Sequence, residues 1–204
     1  MKIENKCTLS RRQVILASLG VPVAVLGRAY GLEPAAAGEL EPTPACSAGD
    51  DVTPSQTPGP FFKTRSPERK SLLEPVIHGS RIVLEGRVRS TKCKPVARAL
   101  LDFWQADASG EYDNAGYLLR GHQFADDQGR YRLETIVPGL YPGRTRHFHV
   151  RVQAPNRPVL TTQLYFPGEA ANKRDAIFNP KLVISMRDSA GGKVADFDFV
   201  LDIG

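Results

Sequence analysis

The stretch from Tyr141 to His149, Tyr-Pro-Gly-Arg-Thr-Arg-His-Phe-His, constrains the fold of this chain more than any other. From His147 the residues alternate, with His147, His149 and Arg151 on one side and Phe148, Val150 and Val152 on the other. Residues two apart on an extended strand share a face. Both imidazoles therefore project together while the apolar set faces a core. Two same-face histidines make half of a metal site, and other parts of the chain must supply the rest.

The same alternation recurs elsewhere. Ile82, Leu84, Gly86 and Val88 alternate with Val83, Glu85 and Arg87, and Ala99, Leu101 and Phe103 with Leu100, Asp102 and Trp104. Asp126-Asp127-Gln128-Gly129 is a turn signal that leads into a strand over Tyr131 to Ile136. Further strands are expected over Leu160 to Phe166, Leu182 to Met186 and Ala195 to Leu201, with Ala190-Gly191-Gly192 joining the last two as a hairpin. Asp107 to Gly116 reads as a polar, turn-rich loop around Tyr112, and Gly168 to Pro180 as a short helix or loop. No long helical periodicity follows residue 37. Short strands with regular turn punctuation indicate an all-β fold, a β-sandwich of mixed strands with long loops at its active end. One globular domain over 52–204 suits the chain length.

The N-terminus reads differently. Ser10-Arg11-Arg12-Gln13-Val14 opens an apolar run to Leu26 that contains Gly20 and Pro22 and is too short to span a bilayer comfortably. Gly31 and Ala35-Ala36-Ala37 offer processing ends. The pattern resembles a twin-arginine secretion signal over residues 1–37, with a Pro/Ala/Gly linker over 38–51; the alternative is an N-terminal core helix. Export to a periplasmic or extracellular compartment is then expected, with no stable membrane insertion once the signal is removed. Removal also discards Lys2, Lys6, Arg11, Arg12 and Arg28 against Glu4 and Glu33, which lowers the formal charge from +5 to +2. A nucleic-acid partner therefore loses its electrostatic basis. Of three cysteines, Cys7 goes with the signal, leaving Cys46 and Cys93 as a disulfide or as two thiols in an exported protein.

Two histidines and one carboxylate would suit ferrous oxygenase chemistry. The His-x-Asp or His-x-Glu pair that usually marks such a site is absent, and His78 and His122 read as surface residues. Tyr141, just after the Pro138-Gly139 break, is open to two readings, a ligand or a packing aromatic.

Four ordered segments resemble the intradiol ring-cleavage dioxygenases. They are Thr53-Pro54-x-Gln56-Thr57-x-Gly59-Pro60-Phe61, Trp104-Gln105-Ala106-Asp107-Ala108-x-Gly110-x-Tyr112, Pro138-Gly139-x-Tyr141-Pro142 and His147-Phe148-His149, continuing to Leu160-Thr161-Thr162-Gln163. The resemblance implies that Tyr112, Tyr141, His147 and His149 ligate a non-haem Fe(III) ion. It also implies that a catechol chelates this ion and is cleaved by dioxygen between its two hydroxyl-bearing carbons to a muconate-type dicarboxylate. Tyr141 would leave the metal and act as base. Arg144 would stabilise developing negative charge, Gln163 would line the dioxygen or substrate side, and Pro60 and Phe61 would wall the ring, with Trp104 in the core. Arg144 can also be read as a solvent-facing arginine of a basic turn. The turn between Tyr141 and His147 is shorter than in larger family members, which leaves catechol, hydroxyquinol and protocatechuate types open. Small-molecule substrate and dioxygen are the expected partners, and the resemblance allows a homo-oligomer. A β-sandwich module that binds a metal or ligand without turnover is the alternative.

Overall fold

The computed structural model of this protein describes residues 51–203. The expected signal, Cys46 and all of the expected linker except Asp51 lie outside the described residues.

Two sheets form. One contains β1 (Arg81–Ser90), β4 (Arg130–Ile136), β7 (Ser185–Ser189), β8 (Gly192–Asp196) and β9 (Phe199–Leu201), in the order β4-β1-β8-β7 with β9 also on β1. β1 pairs antiparallel with β4 and parallel with β8 and β9, so the sheet is mixed. The other sheet runs β3 (Arg120–Phe124), β2 (Leu100–Trp104), β5 (His147–Gln153), β6 (Val159–Tyr165), antiparallel throughout. The expected β-sandwich of mixed strands is therefore what forms. Ile82, Leu84, Leu133, Ala195 and Phe199 of the first sheet share one core with Leu101, Phe103, Phe148, Val150 and Val152 of the second. Burying each large apolar side chain contributes about 1.5–3 kcal/mol.

Having turned one face to this core, the antiparallel sheet must present its other face to the loops. Directly opposed residues on neighbouring strands share a face. Arg120 opposes Trp104, Trp104 opposes His149 and His149 opposes Gln163, so these four form one row across the sheet. His147 opposes Tyr165 in the adjoining row. Residues 53–57 are tied to β6 by hydrogen bonds from Gln56 N to Thr161 O (2.7 Å) and from Gln163 Nε2 to Thr57 O (2.9 Å).

The structure departs from the sequence reading at three strands. β3 was not expected; it pairs with β2 and carries the half-buried His122, bonded at Nδ1 to Ser66 O (2.8 Å) rather than standing on the surface. The strand expected from Leu182 starts at Ser185, because Pro180–Leu182 forms a 3-10 turn capped by Asn179. The last expected strand is split at Phe197-Asp198, where Phe197 N donates to Glu85 O (3.0 Å) and Asp198 Oδ1 accepts from Arg87 N (2.8 Å). Ala190-Gly191 does join β7 to β8 as a hairpin.

Candidate metal centre

His147 and His149 are 4% and 2% exposed and stand on the outer face of β5. The Nδ1 of His147 lies 2.6 Å from Thr145 O. A carbonyl can only accept, so Nδ1 carries the proton and Nε2 presents a lone pair. The Nε2 of His149 lies 3.1 Å from that nitrogen, and the phenol oxygen of Tyr112 lies 3.4 Å from it. Burial, assisted by the Arg144 charge and opposed by the Thr145 carbonyl, lowers His147 to about 4. Burial also drives His149 well down, with His147, Arg144 and Arg120 adding to it. Both imidazoles are therefore neutral at neutral pH, the form that binds metals.

Burial pushes the Tyr112 phenol up to about 12, although the charges of Arg144 and Arg120 oppose it. A phenol so placed ionises at neutral pH only beside a stronger cation. Among the described residues no cluster of three or more His, Cys, Asp or Glu side chains could hold a metal. The converging donors are thus two imidazoles and a phenol, with a second phenol near by. That set fits a highly charged ion that tolerates anionic oxygen, and ferric iron is such an ion. Nδ1 of His149 is buried without a hydrogen-bond partner among the described residues, and its ring is oriented by stacking on Trp104 at 4.8 Å and 5°. Trp104, expected in the core, is indeed buried, in an apolar cluster with Ala106 and Tyr112 beside the site. Gly59 approaches the same ring: with φ +65°, it would put a Cβ 3.3 Å from His149 Cε1, so a backbone without a side chain is needed there.

Tyr112 is carried on a loop held at many points. Asp107 Oδ1 accepts from Ser109 N (2.8 Å) and Glu111 N (3.0 Å), and Asp113 Oδ1 accepts from Gly116 N (2.7 Å). Lys63 Nζ donates to the carbonyls of Asn114, Ala115 and Gly116. The buried Arg120 joins Asp113 O (3.0 Å) to Phe61 O (2.5 Å), and the Phe61 ring stacks on Tyr112 at 4.4 Å. Tyr141 is half-buried and touches Phe61 and Tyr112 only edge-on, at 5.4 and 6.0 Å. Backbone contact joins the two tyrosine loops: Gly139 N donates to Asp107 O (2.6 Å), and a Cβ on Gly110 would lie 2.2 Å from Leu140 O.

Arg144 does not face solvent. Its Nε donates to Asp175 Oδ2 (2.8 Å) and its Nη2 to Gln163 Oε1 (2.6 Å). The structure thus brings Tyr112, Tyr141, His147, His149, Arg144, Gln163 and Phe61 into one neighbourhood, while Pro60 is exposed. Arg120, Asp175 and Tyr165 were missed. Tyr165 bonds Gln56 Oε1 (2.5 Å) and Gln163 Oε1 (3.2 Å), and its place two residues after Gln163 was the available signal. Cys93 is disulfide-bonded.

Residues 58–203 match the family described as Dioxygenase. The protocatechuate 3,4-dioxygenase beta chain of Burkholderia cepacia is 37% identical over 49% of this chain and 50% of its own length. The chlorocatechol 1,2-dioxygenase of Pseudomonas sp. (strain P51) is 28% identical over 71% of this chain and 68% of its own. The chain spans about half the length of several curated relatives that it matches. Among solved structures, the dioxygenase domain of a dioxygenase carbohydrate-binding protein fusion from Streptomyces sp. SirexAA-E is 54% identical, with a TM-score of 0.74 over 76% of this chain and 100% of that one. The 3-chlorocatechol 1,2-dioxygenase of Rhodococcus opacus 1CP is 28% identical, with a TM-score of 0.69 over 77% of this chain and 76% of that one.

Proposed function

The chain belongs to the intradiol dioxygenase family, and from that membership we propose that it is a non-haem Fe(III) enzyme that opens the ring of a catechol-type substrate with dioxygen. The bond between the two hydroxyl-bearing carbons breaks, and one atom of dioxygen joins each carbon. Both hydroxyl oxygens are kept, so two carboxyl groups form and no external reductant is consumed. The observation that carries this reading is the convergence of His147 Nε2, His149 Nε2 and the Tyr112 oxygen within 3.1–3.4 Å, beside Arg144 and Gln163.

Tyr112, Tyr141, His147 and His149 would hold the iron. When bound, ferric iron supplies Lewis acidity that draws electron density from the chelated ring and activates it toward dioxygen. The chain's own side chains do the rest. Tyr141, the less confined phenol, takes a substrate hydroxyl proton onto its phenolate oxygen. Arg144 keeps a fixed positive charge beside the carbon that becomes electron-rich, in a partly dry site where it counts for more. Phe61 packs its face on Tyr112 and so walls off water on that side.

The disulfide at Cys93 supports an oxidising compartment. Together with the paired arginines Arg11-Arg12, it supports export by a twin-arginine route, with Cys46 as the partner of Cys93. Among the described residues no helix is long and apolar enough to cross a membrane.

Oxygen uptake across catechol, hydroxyquinol and protocatechuate, with products weighed by mass spectrometry, tests the reading. Ring-opened product carrying both atoms of labelled dioxygen is expected. Absence of uptake on every diol by iron-loaded protein would instead point to a binding module.

A further inference from the structure

Asp175 is the one acidic residue among the described residues that is buried. It follows the short 3-10 helix Ala170–Lys173, in a segment whose sequence shows no motif. Its side chain is 1% exposed. Oδ2 accepts from Arg144 Nε (2.8 Å) and from Thr145 N (2.9 Å), while Oδ1 accepts from Ile177 N (3.1 Å). Both oxygens are engaged, so the carboxylate cannot turn without losing a bond to a charged or backbone donor.

The guanidinium is thereby held along one side. Its Nε is committed to Asp175, and one N–H of Nη2 goes to Gln163 Oε1 at 2.6 Å. Gln163 is itself fixed, because its Nε2 donates to Thr57 O (2.9 Å) and Tyr165 OH lies 3.2 Å from its Oε1. Nη1 makes no hydrogen bond to the described residues, so the outer edge of the fork remains for substrate. The grip also reaches the histidine pair. Asp175 takes the N–H of Thr145, whose carbonyl takes the Nδ1 proton of His147 at 2.6 Å.

We propose that Asp175 is the positioning residue of the site: its carboxylate fixes Arg144 through Nε, so that the Nη1 edge is presented to the reacting ring. The inference rests on the proposed catechol cleavage and assigns Asp175 no contact with substrate. A carboxylate on the remote edge also helps the half-buried arginine stay charged while its free edge remains unpaired. The neighbouring Arg146–Glu169 pair (2.9 Å) uses the same chemistry differently: Arg146 Nη1 turns to Pro138 O, so that pair braces the Tyr141 loop.

Asp175→Asn is the direct test. Whichever way the amide turns, either Ile177 N–H or the Arg144–Thr145 donors meet an NH2 group. In iron-loaded enzyme kcat should fall about 10- to 100-fold, as expected for a misplaced catalytic group. KM should stay within about threefold, the pattern of an interaction made mainly in the transition state. The visible iron–phenolate band should keep its position, since neither tyrosine is touched. In an Arg144→Ala background the same substitution should have almost no further effect on kcat, because residues that act through one another are not additive. Full additivity in the double variant, or a shifted band lost in parallel with activity, would overturn the positioning role. If Asp175→Asn does not purify folded, Asp175→Glu, which keeps the charge but displaces it, enters the same cycle with the same expected non-additivity. A wild type that consumes no oxygen with any diol defeats the underlying reading; an active wild type with additive variants defeats this inference alone.

Discussion

The two tyrosines of the site are built to opposite specifications. Tyr112 is 9% exposed, face-stacked on Phe61, and sits in a loop braced by Asp107, Asp113, Lys63 and Arg120. Tyr141 is half-buried and edge-packed only, between the 50%-exposed Leu140 and the exposed Pro142-Gly143, with Gly143 at φ +77° and nothing within 4 Å of its would-be Cβ. Held aromatic rings lose little entropy on binding an ion, whereas a ring on an open turn can move at small cost. The first phenol would therefore be suited to anchoring a bound ferric ion, and the second to taking a substrate proton.

Substitution of each phenol separates the two roles. Tyr112→Phe is expected to weaken ferric iron retention by on the order of 100-fold or more, since even loss of a supporting partner costs 10–100-fold; chelator competition measures it. Tyr141→Phe should retain iron far better yet lower kcat by on the order of 10²–10⁴, the usual contribution of a positioned base. Equal iron loss in both variants would break the distinction. Phe61→Leu probes the bracing directly. It removes an aromatic pair worth about 0.5–1.5 kcal/mol and should loosen Tyr112, lowering Tm modestly and broadening the iron–phenolate band, with a smaller effect on turnover than either tyrosine variant.

Much of this arrangement was legible in the sequence, and the exceptions have physical causes. The alternation in β1 and β5 was visible because one face of each is uniformly apolar. β3, Arg-Gly-His-Gln-Phe, shows no such pattern. Its outer face is covered by polar partners: Arg69 donates to Arg120 O (2.9 Å), and Ser66 Oγ bridges Asp102 and His122. The histidine pair and both tyrosines lie in recognisable segments. Asp175 does not, because its role depends on a loop folding back onto Arg144, and a lone Asp among polar residues carries no local mark of that contact. Trp104 shares its face with Leu100 and Asp102, not with the core residues Leu101 and Phe103, and the register of β2 against β5 sets it on His149.

The contribution of the Asp175 charge to stability is the smallest and most conditional of these effects. Burial opposes its ionisation, but the Thr145 N–H, Arg144 and the Ile177 N–H outweigh this, so its pKa lies below 3.8. A depressed carboxylate contributes stability that is fully present above the unfolded value and is lost as pH falls through the folded one. The Tm difference between wild type and Asp175→Asn should accordingly hold steady above about pH 5 and close at pH below 3.8. A difference independent of pH would show that the charge contributes nothing.

The proposed site, in which two neutral imidazoles and two unequal phenols would hold one ferric ion, is tested most directly by visible absorption during titration with ferric iron. A red-brown phenolate-to-iron band should rise and saturate at one equivalent, shift in Tyr141→Phe, and largely fail to form in Tyr112→Phe. Iron bound without colour, or a band unchanged by both substitutions, would contradict it.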